Sequence, residues 1–220
     1  MSHAFWYVNR GSGVVLVAVL TLATALGVLA TSGAGSRRWP RFALQSLHRN
    51  ISLLACGLLL AHAVTPVLDA YVNHYAPITW LDVAVPFLSA YKPLALGLGT
   101  LALDLIAIAV VTSLARHRFS RRTWFGLHLL TYVSWGLGVV HGFLIGSDAR
   151  TAWGLGVTVA SVLVVAGAVV VRLVVGTAAP QAVPPTTGQL PVQAMDSALP
   201  PLPPASPEHG RRRAGRRAAV

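Results

Sequence analysis

Charged residues and cysteine are both scarce in this chain. Asp, Glu, Lys and Arg make up only 10% of its 220 residues, whereas a soluble globular domain has about 25%. The single cysteine, Cys56, leaves no basis for a disulfide framework, a CxxC motif or ligation of an iron–sulfur cluster. No GxGxxG or P-loop pattern occurs, which argues against a fused flavin or nicotinamide domain. Water is therefore not expected to be this protein's main solvent.

Long apolar segments are what the chain has instead. Hydrophobic residues make up 55% of it, and five segments are near or above the ~20 residues that span a bilayer. They cover residues 13–31, 43–67, 93–115, 124–145 and 153–175. Helices are expected, because only helices and closed barrels satisfy every backbone polar group in lipid. The sequence predicts an all-α integral membrane bundle of about five transmembrane helices, the first retained rather than cleaved as a signal peptide.

Arginines are unevenly distributed among the regions outside these segments. They concentrate after the first segment, after the third and near the C-terminus: Arg37, Arg38, Arg41, Arg116, Arg118, Arg121, Arg122, Arg211, Arg212, Arg213, Arg216 and Arg217. Cytoplasmic loops carry such an excess, so we expect a multi-pass plasma-membrane protein with its N-terminus outside and its C-terminus in the cytoplasm. The net charge of +11 is then a topology signal and an attraction to membrane lipid, and no nucleic-acid partner is expected.

The chain divides into two regions by composition. Residues 1–175 form the expected membrane domain, whereas residues 176–220 are rich in Pro, Ala and Arg. Proline and small polar residues without a core pattern predict a disordered cytoplasmic tail.

Four histidines lie inside two of the apolar segments. His48 and His62 are 62 − 48 = 14 residues apart, and His128 and His141 are 141 − 128 = 13 residues apart. At about 1.5 Å of rise per residue, each pair spans roughly 20 Å along a helix. Imidazoles are costly in hydrocarbon, so four of them at two matched depths indicate a function. We expect two stacked bis-histidine haems, an inner one on His48 and His128 and an outer one on His62 and His141.

The 13-residue step does not keep its two histidines on one helix face. A 14-residue step rotates an ideal helix by about −40°, whereas a 13-residue step rotates it by about −140°. Gly136 and Gly138 lie between His128 and His141. Because glycine permits a kink or a π-bulge in a transmembrane helix, we expect one of these to realign the two ligands.

The segments around the histidines resemble a known family. Two of them are similar to the haem helices of the ferric reductase-like transmembrane domain, which is shared by NADPH oxidases and the bacterial haem subunit of periplasmic methionine sulfoxide reductase: LHRNISLLACGLLLAHAV and TWFGLHLLTYVSWGLGVVHGFL. The resemblance covers about residues 5–175, where WYVNRGSG and YKPLALGLGTLALDLIAIAVVTSLARHR look like actinobacterial stand-alone members. It implies two b-type haems, with iron bound by His48, His62, His128 and His141. Unlike the larger relatives, the chain has five clear spans and no fused flavin domain.

Two axial histidines on each iron favour one-electron transfer over oxygen chemistry. We expect a ferric reductase-like di-haem membrane cytochrome b that carries electrons from a cytoplasmic donor to an extracytoplasmic acceptor, as an oxidoreductase or as an electron-transfer subunit. The donor is a separate cytoplasmic flavoprotein or membrane quinol. Two alternatives stay open: a quinol-linked haem subunit that serves an extracytoplasmic partner enzyme, and a haem-free membrane scaffold or transporter.

Three further residues are candidates for supporting roles. Arg49, beside His48, suits a haem propionate or reaches the membrane interface as a topology residue. Trp135 lies between the two ligand depths, where it separates the haems or fills core space. Asp104, near the centre of the third segment, either makes a hydrogen bond between helices or couples a proton to haem reduction.

Overall fold

The structure is a computed structural model that describes residues 4–31, 40–69, 74 and 76–177. Six α-helices lie in these ranges: α1 (Ala4–Thr31), α2 (Arg41–Leu68), the short α3 (Trp80–Ala84), α4 (Pro93–Leu114), α5 (Arg121–Ile145) and α6 (Ala152–Thr177). A 3₁₀ turn, Arg116–Arg118, connects α4 to α5. Arg37, Arg38 and residues 178–220 of the predicted tail lie outside the described residues, whereas residues 176 and 177, also predicted to belong to the tail, are helical in α6.

Every helix except α3 is long and apolar enough to cross a membrane. The shortest of the five, α4, has 22 residues and is therefore about 33 Å long, against a hydrocarbon core of about 30 Å. No β-strand occurs in the part of the chain that the structure describes. These helices confirm the predicted all-α architecture with five candidate spans.

Helix α1 begins nine residues before the predicted first span, at Ala4 instead of residue 13. The apolar pattern stops at residue 13 because Asn9, Arg10 and Ser12 interrupt it. In the structure these polar side chains have partners: Arg10 forms a bidentate ion pair with Asp148, and Asn9 donates hydrogen bonds to α2. The helix continues because the surrounding bundle satisfies polar groups that an isolated segment would leave exposed to lipid.

Helix α1 is the central element of the bundle. It packs against α2, α5 and α6, and α4 packs against α5. Small and polar side chains allow these close approaches: Ala25 and Ala168 lie in the buried core, and the Ser134 hydroxyl donates to the Ala102 carbonyl at 2.7 Å. Among the described residues, α2 and α5 are not a closely packed pair. Each histidine-bearing helix is therefore supported by a neighbour and separated from the other.

The two ends of the bundle differ in charge. At the end called here the basic end, α1 and α4 finish and α2 and α5 begin; it carries Arg116, Arg118, Arg121 and Arg122. The opposite end, called the far end, includes α3, whose capping box joins Thr79 and Asp82, and the Arg10–Asp148 ion pair. Between the ends, α6 exposes large apolar side chains such as Leu163 and Leu173, as a lipid-facing helix does.

Candidate functional site

The four intramembrane histidines form two pairs between α2 and α5. The ring centres of His48 and His128 are 6.1 Å apart with the rings inclined at 79°, and those of His62 and His141 are 6.4 Å apart at 84°. The first is the basic-end pair and the second the far-end pair. The structure thus brings together the residues that the sequence paired by depth, while their role as iron ligands stays a prediction.

The separation of the rings suits one metal ion held between two imidazoles. A metal–imidazole nitrogen bond is about 2.0–2.1 Å and the nitrogen lies about 1.1 Å from its ring centre, so two ligands on opposite sides of a metal have ring centres about 6.3 Å apart. Both observed distances are within a few tenths of an ångström of this value. In the described ranges, no group of three or more His, Cys, Asp or Glu residues is arranged to hold a metal. The pairs can thus supply two ligands each.

The 13-residue step on α5 is met without the expected π-bulge. Arg121–Ile145 is a continuous α-helix, and a Cβ added at Gly136 or Gly138 would meet nothing within 4 Å. The two histidines instead have different surroundings. His141 binds a carbonyl of α4, whereas His128 stacks on Trp124 of its own helix. The expected π-bulge is therefore wrong, and the kink stays a prediction.

Three of the four imidazoles are hydrogen-bonded through Nδ1 to a backbone carbonyl of a neighbouring helix. His48 bonds to Ala23 at 2.9 Å, His62 to Asn9 at 3.1 Å, and His141 to Ala95 at 2.7 Å. A carbonyl oxygen only accepts, so each Nδ1 donates a proton in these bonds. This tautomer leaves the lone pair on Nε2, which is the arrangement of a histidine that binds a metal through Nε2.

A glycine lies against each of these three rings. A Cβ added at Gly27 would be 3.2 Å from Cε1 of His48, one at Gly13 would be 3.0 Å from Cε1 of His62, and one at Gly99 would be 2.6 Å from Cε1 of His141. Any larger residue would press on the imidazole, because real Cβ contacts are rarely so short. These glycines give the rings access to the helix backbone beside them.

Asn9 also ties the far-end pair to α1 through its side chain. Its Nδ2 donates to the His62 carbonyl at 2.9 Å and to Oγ1 of Thr65 at 3.2 Å, and Oγ of Ser12 lies 3.3 Å from Nδ1 of His62. His62 is thus held by both its backbone and its ring. Such bonds orient a ligand before any metal arrives.

His128 is the exception among the four. Its ring stacks on Trp124 with centres 5.2 Å apart and an angle of 19°, and the guanidinium carbon of Arg116 lies 4.6 Å from the centre of the Trp124 ring. In the described structure, Nδ1 of His128 and Nε1 of Trp124 are buried without a hydrogen-bond partner. The indole N–H of Trp124 is thus an unpaired buried donor beside the basic-end pair, and Nδ1 of His128 lacks the carbonyl bond that the other three imidazoles have.

A cavity of about 490 Å³ adjoins the far-end pair. Its lining includes His62, His141, Asn9, Trp135 and Gly138, together with many apolar side chains. This volume is in the range of about 300–1,000 Å³ found for small-molecule and cofactor sites. The imidazoles therefore border open space that a planar cofactor would partly fill.

The other residues predicted from sequence have mixed positions. Arg49 is exposed, with no hydrogen bond or ion pair among the described residues, and Trp135 lines the cavity while its indole N–H donates to Oγ1 of Thr21 at 2.9 Å. Asp104 is half-buried, and the described contacts include no hydrogen bond between helices at its carboxylate.

The sequence reading missed most of the residues that hold the imidazoles: Asn9, Ser12, Gly13, Gly27, Gly99, Arg116 and Trp124. One signal was available. Gly13 and Gly27 are 27 − 13 = 14 residues apart, as are His62 and His48, and α1 runs antiparallel to α2. The same 14-residue spacing on two adjacent antiparallel helices indicates that each of these two glycines of α1 faces a histidine of α2.

The family model of DUF8596, described as a domain of unknown function, matches residues 4–148. This is 148 − 4 + 1 = 145 of the 220 residues, and it includes α1 to α5 and all four paired histidines. The chain therefore belongs to this family. No curated protein and no solved structure matches it.

Proposed function

For this member of a family whose description names no activity, we propose the function of a di-haem membrane cytochrome b that carries electrons across the membrane. The observation that carries the proposal is the geometry of the two pairs: ring centres 6.1 and 6.4 Å apart, against about 6.3 Å for two imidazoles on one metal ion. The resemblance of α2 and α5 to the haem helices of the ferric reductase-like domain belongs to the same proposal.

The surroundings of the histidines support haem as the group that they hold. His48 and His128 would bind one iron, and His62 and His141 the other. A haem iron takes only two ligands from the protein here, which agrees with pairs rather than larger clusters. The unpaired indole N–H of Trp124 beside the basic-end pair and the cavity beside the far-end pair suit a large group with polar edges.

Bound haem would supply reversible one-electron chemistry. The residues of this chain would orient the ligands and set the spacing of the two sites. Carbonyls of Asn9, Ala23 and Ala95 hold three imidazoles in the tautomer that leaves Nε2 free. The 14-residue step between His48 and His62 on α2 spaces the two pairs along the bundle axis, so that electrons would pass between the basic end and the far end.

The charge of the two ends supports an orientation in the membrane, from which we propose the direction of transfer. The basic end carries four exposed arginines in and around the turn before α5: Arg116, Arg118, Arg121 and Arg122. Excess arginine favours the cytoplasmic side, so we propose that the basic end faces the cytoplasm, that the N-terminus is outside and that the membrane is the plasma membrane. A separate cytoplasmic flavoprotein with an acidic surface is our proposed donor, and an extracytoplasmic molecule or protein receives the electron at the far end.

Haem content is the first test. The full-length protein, purified in detergent from haem-replete cells, should contain about two b-type haems per chain with low-spin spectra. His62→Ala and His141→Ala should remove one spectral component, and His48→Ala and His128→Ala the other. The controls are His74→Ala and His117→Ala, which replace exposed histidines.

Two outcomes would contradict the proposal in different ways. A haem-to-protein ratio near zero would overturn it and favour the haem-free scaffold or transporter. Loss of the same component in His62→Ala and His128→Ala would retain haem and overturn the pairing.

The donor is tested in inside-out membrane vesicles that hold the protein. Haem reduction by NADH with cytosolic extract should slow with added salt, because exposed charges are screened beyond about 8 Å at physiological ionic strength. A variant with glutamine at the three arginines not stacked on Trp124 should slow it further: Arg118, Arg121 and Arg122. Rapid reduction by a quinol analogue alone, unchanged in that variant and blocked by a quinone-site inhibitor, would establish the quinol-linked haem subunit instead.

A further inference from the structure

The three hydrogen-bonded imidazoles share one local motif. In each case the carbonyl lies four residues before the glycine that touches the ring: Asn9 before Gly13, Ala23 before Gly27, and Ala95 before Gly99. In an α-helix, the carbonyl of residue i−4 accepts from the N–H of residue i, and the side chain at i projects over that turn. Glycine at i uncovers the second lone pair of the carbonyl. A histidine of the next helix can then donate to it.

The described structure gives His128 no such motif. Nδ1 of His128 is buried without a hydrogen-bond partner. The 13-residue step from His141 turns α5 by about −140°, so the contact that His141 makes with α4 is not repeated at His128. The ring of His128 stacks on Trp124 of its own helix instead.

The two pairs therefore differ in how strongly their ligands donate electrons. Both imidazoles of the far-end pair donate an Nδ1 proton to a carbonyl, which makes the ligand more basic and stabilises the oxidised metal. At the basic-end pair only His48 has such a bond. The Arg116 cation, above the Trp124 ring that stacks on His128, adds a positive charge that favours the reduced metal there.

We propose that these hydrogen bonds make the two sites electronically unequal, with the higher reduction potential at the basic-end pair and the lower at the far-end pair. This inference rests on the proposed function. Its consequence is that an electron delivered at the basic end rests there until an acceptor at the far end removes it. Asn9, Gly13, Ala95 and Gly99 are the positioning residues that set the lower potential.

The test is a redox titration of the full-length protein in lipid nanodiscs, followed by the haem absorption spectrum. Two components should separate by at least a tenfold difference in electron affinity, or about 59 mV for one electron. His62→Ala should remove the lower component and His128→Ala the upper one. The reverse assignment would overturn the inference while leaving haem binding intact, whereas a preparation without haem would overturn both.

Gly13→Ala tests the motif itself, with Gly11→Ala as its matched control. A Cβ at Gly13 would press on His62, and one at Gly11, two residues earlier on α1, would meet nothing within 4 Å. We expect Gly13→Ala to raise the reduction potential of the far-end component or to remove that component. Gly11→Ala should leave both components unchanged. Arg116→Gln should lower the reduction potential of the basic-end component. Arg118→Gln is its control, because Arg118 is exposed and has no ring contact in the described structure. An effect of Gly13→Ala on the upper component alone would contradict the inference.

Discussion

The far-end and basic-end pairs are made of the same residue type at matched depths, yet they are held by different forces. At the far end, α1 and α4 each provide a carbonyl, so both rings are fixed by hydrogen bonds to neighbouring helices. At the basic end, His128 is fixed by stacking on Trp124 of its own helix. The surroundings of each of these histidines thus depend on the helix beside it as much as on its own position.

The difference has a geometric cause. Trp124 precedes His128 by four residues, so the two rings lie on one face of α5 without help from another helix. His141 lies 13 residues further on, about −140° around the helix, and its ring meets α4. A local contact therefore holds His128, whereas contacts with neighbouring helices hold His48 and both far-end rings.

Gly99→Ala should have the largest effect, and it should act on the far-end pair alone. Its Cβ would lie 2.6 Å from Cε1 and Nδ1 of His141, and overpacking of this kind costs about 1–3 kcal/mol. We expect roughly 5–150-fold weaker binding of haem at the far-end pair, measured by haem retention during dilution, with the basic-end component unchanged. Gly136→Ala, whose Cβ would meet nothing within 4 Å, is the control. Equal loss at both pairs would show that the glycine supports the bundle as a whole.

Trp124→Leu should affect the opposite pair. Removing the aromatic face ends the stacking on His128, which is worth about 0.5–1.5 kcal/mol for an aromatic pair, so haem at the basic-end pair should be held less tightly. Trp124→Phe keeps a stacking ring and lacks the indole N–H. Retention in the Phe variant would assign the effect to stacking, and loss in both variants would assign it to the N–H group. Weaker haem binding at the far-end pair alone would contradict the view that Trp124 supports the basic-end pair.

Asn9→Leu tests how much the side-chain hydrogen bonds at the far end stabilise the bundle. The substitution removes the two Nδ2 donor bonds and keeps the backbone carbonyl that binds His62. Hydrogen bonds between membrane helices contribute about 0.6 kcal/mol on average, so we expect a fall of about 1 kcal/mol in bundle stability. Thermal unfolding in detergent measures it, with Asn50→Leu on an exposed residue of α2 as the control. If the loss of stability were as small as in the control, the Asn9 side chain would not stabilise the bundle, and only the Asn9 carbonyl that binds His62 would matter.

The smallest effect should come from the Arg10–Asp148 ion pair at the far end. Its side chains are 38% and 17% exposed, so solvent screens the pair and about 0.2–1 kcal/mol of coupling is expected. A double-mutant cycle with Arg10→Gln and Asp148→Asn, read by thermal unfolding at low and high salt, measures it. Coupling that does not fall with salt would mean that the pair is more enclosed than its exposure indicates.

Much of the architecture could be predicted from hydropathy, because lipid requires continuous apolar helices of about 20 residues. The pairing of His48 with His128 and of His62 with His141 also followed from equal depth on two helices of the same direction. The start of α1 could not be predicted in this way. Asn9 and Arg10 read as the end of an apolar run, and only their partners on α2 and beyond α5 explain a helical backbone there.

Residue counts and the cost of polar groups in lipid were thus enough to predict five candidate spans and the matched positions of the four histidines along α2 and α5. Tertiary structure decided which carbonyl each imidazole binds, which glycine touches it and why His128 has a stacked tryptophan instead. Those contacts depend on how one helix is rotated against the next. Rotation is set by the packing of side chains from several spans at once, and no single segment contains that information.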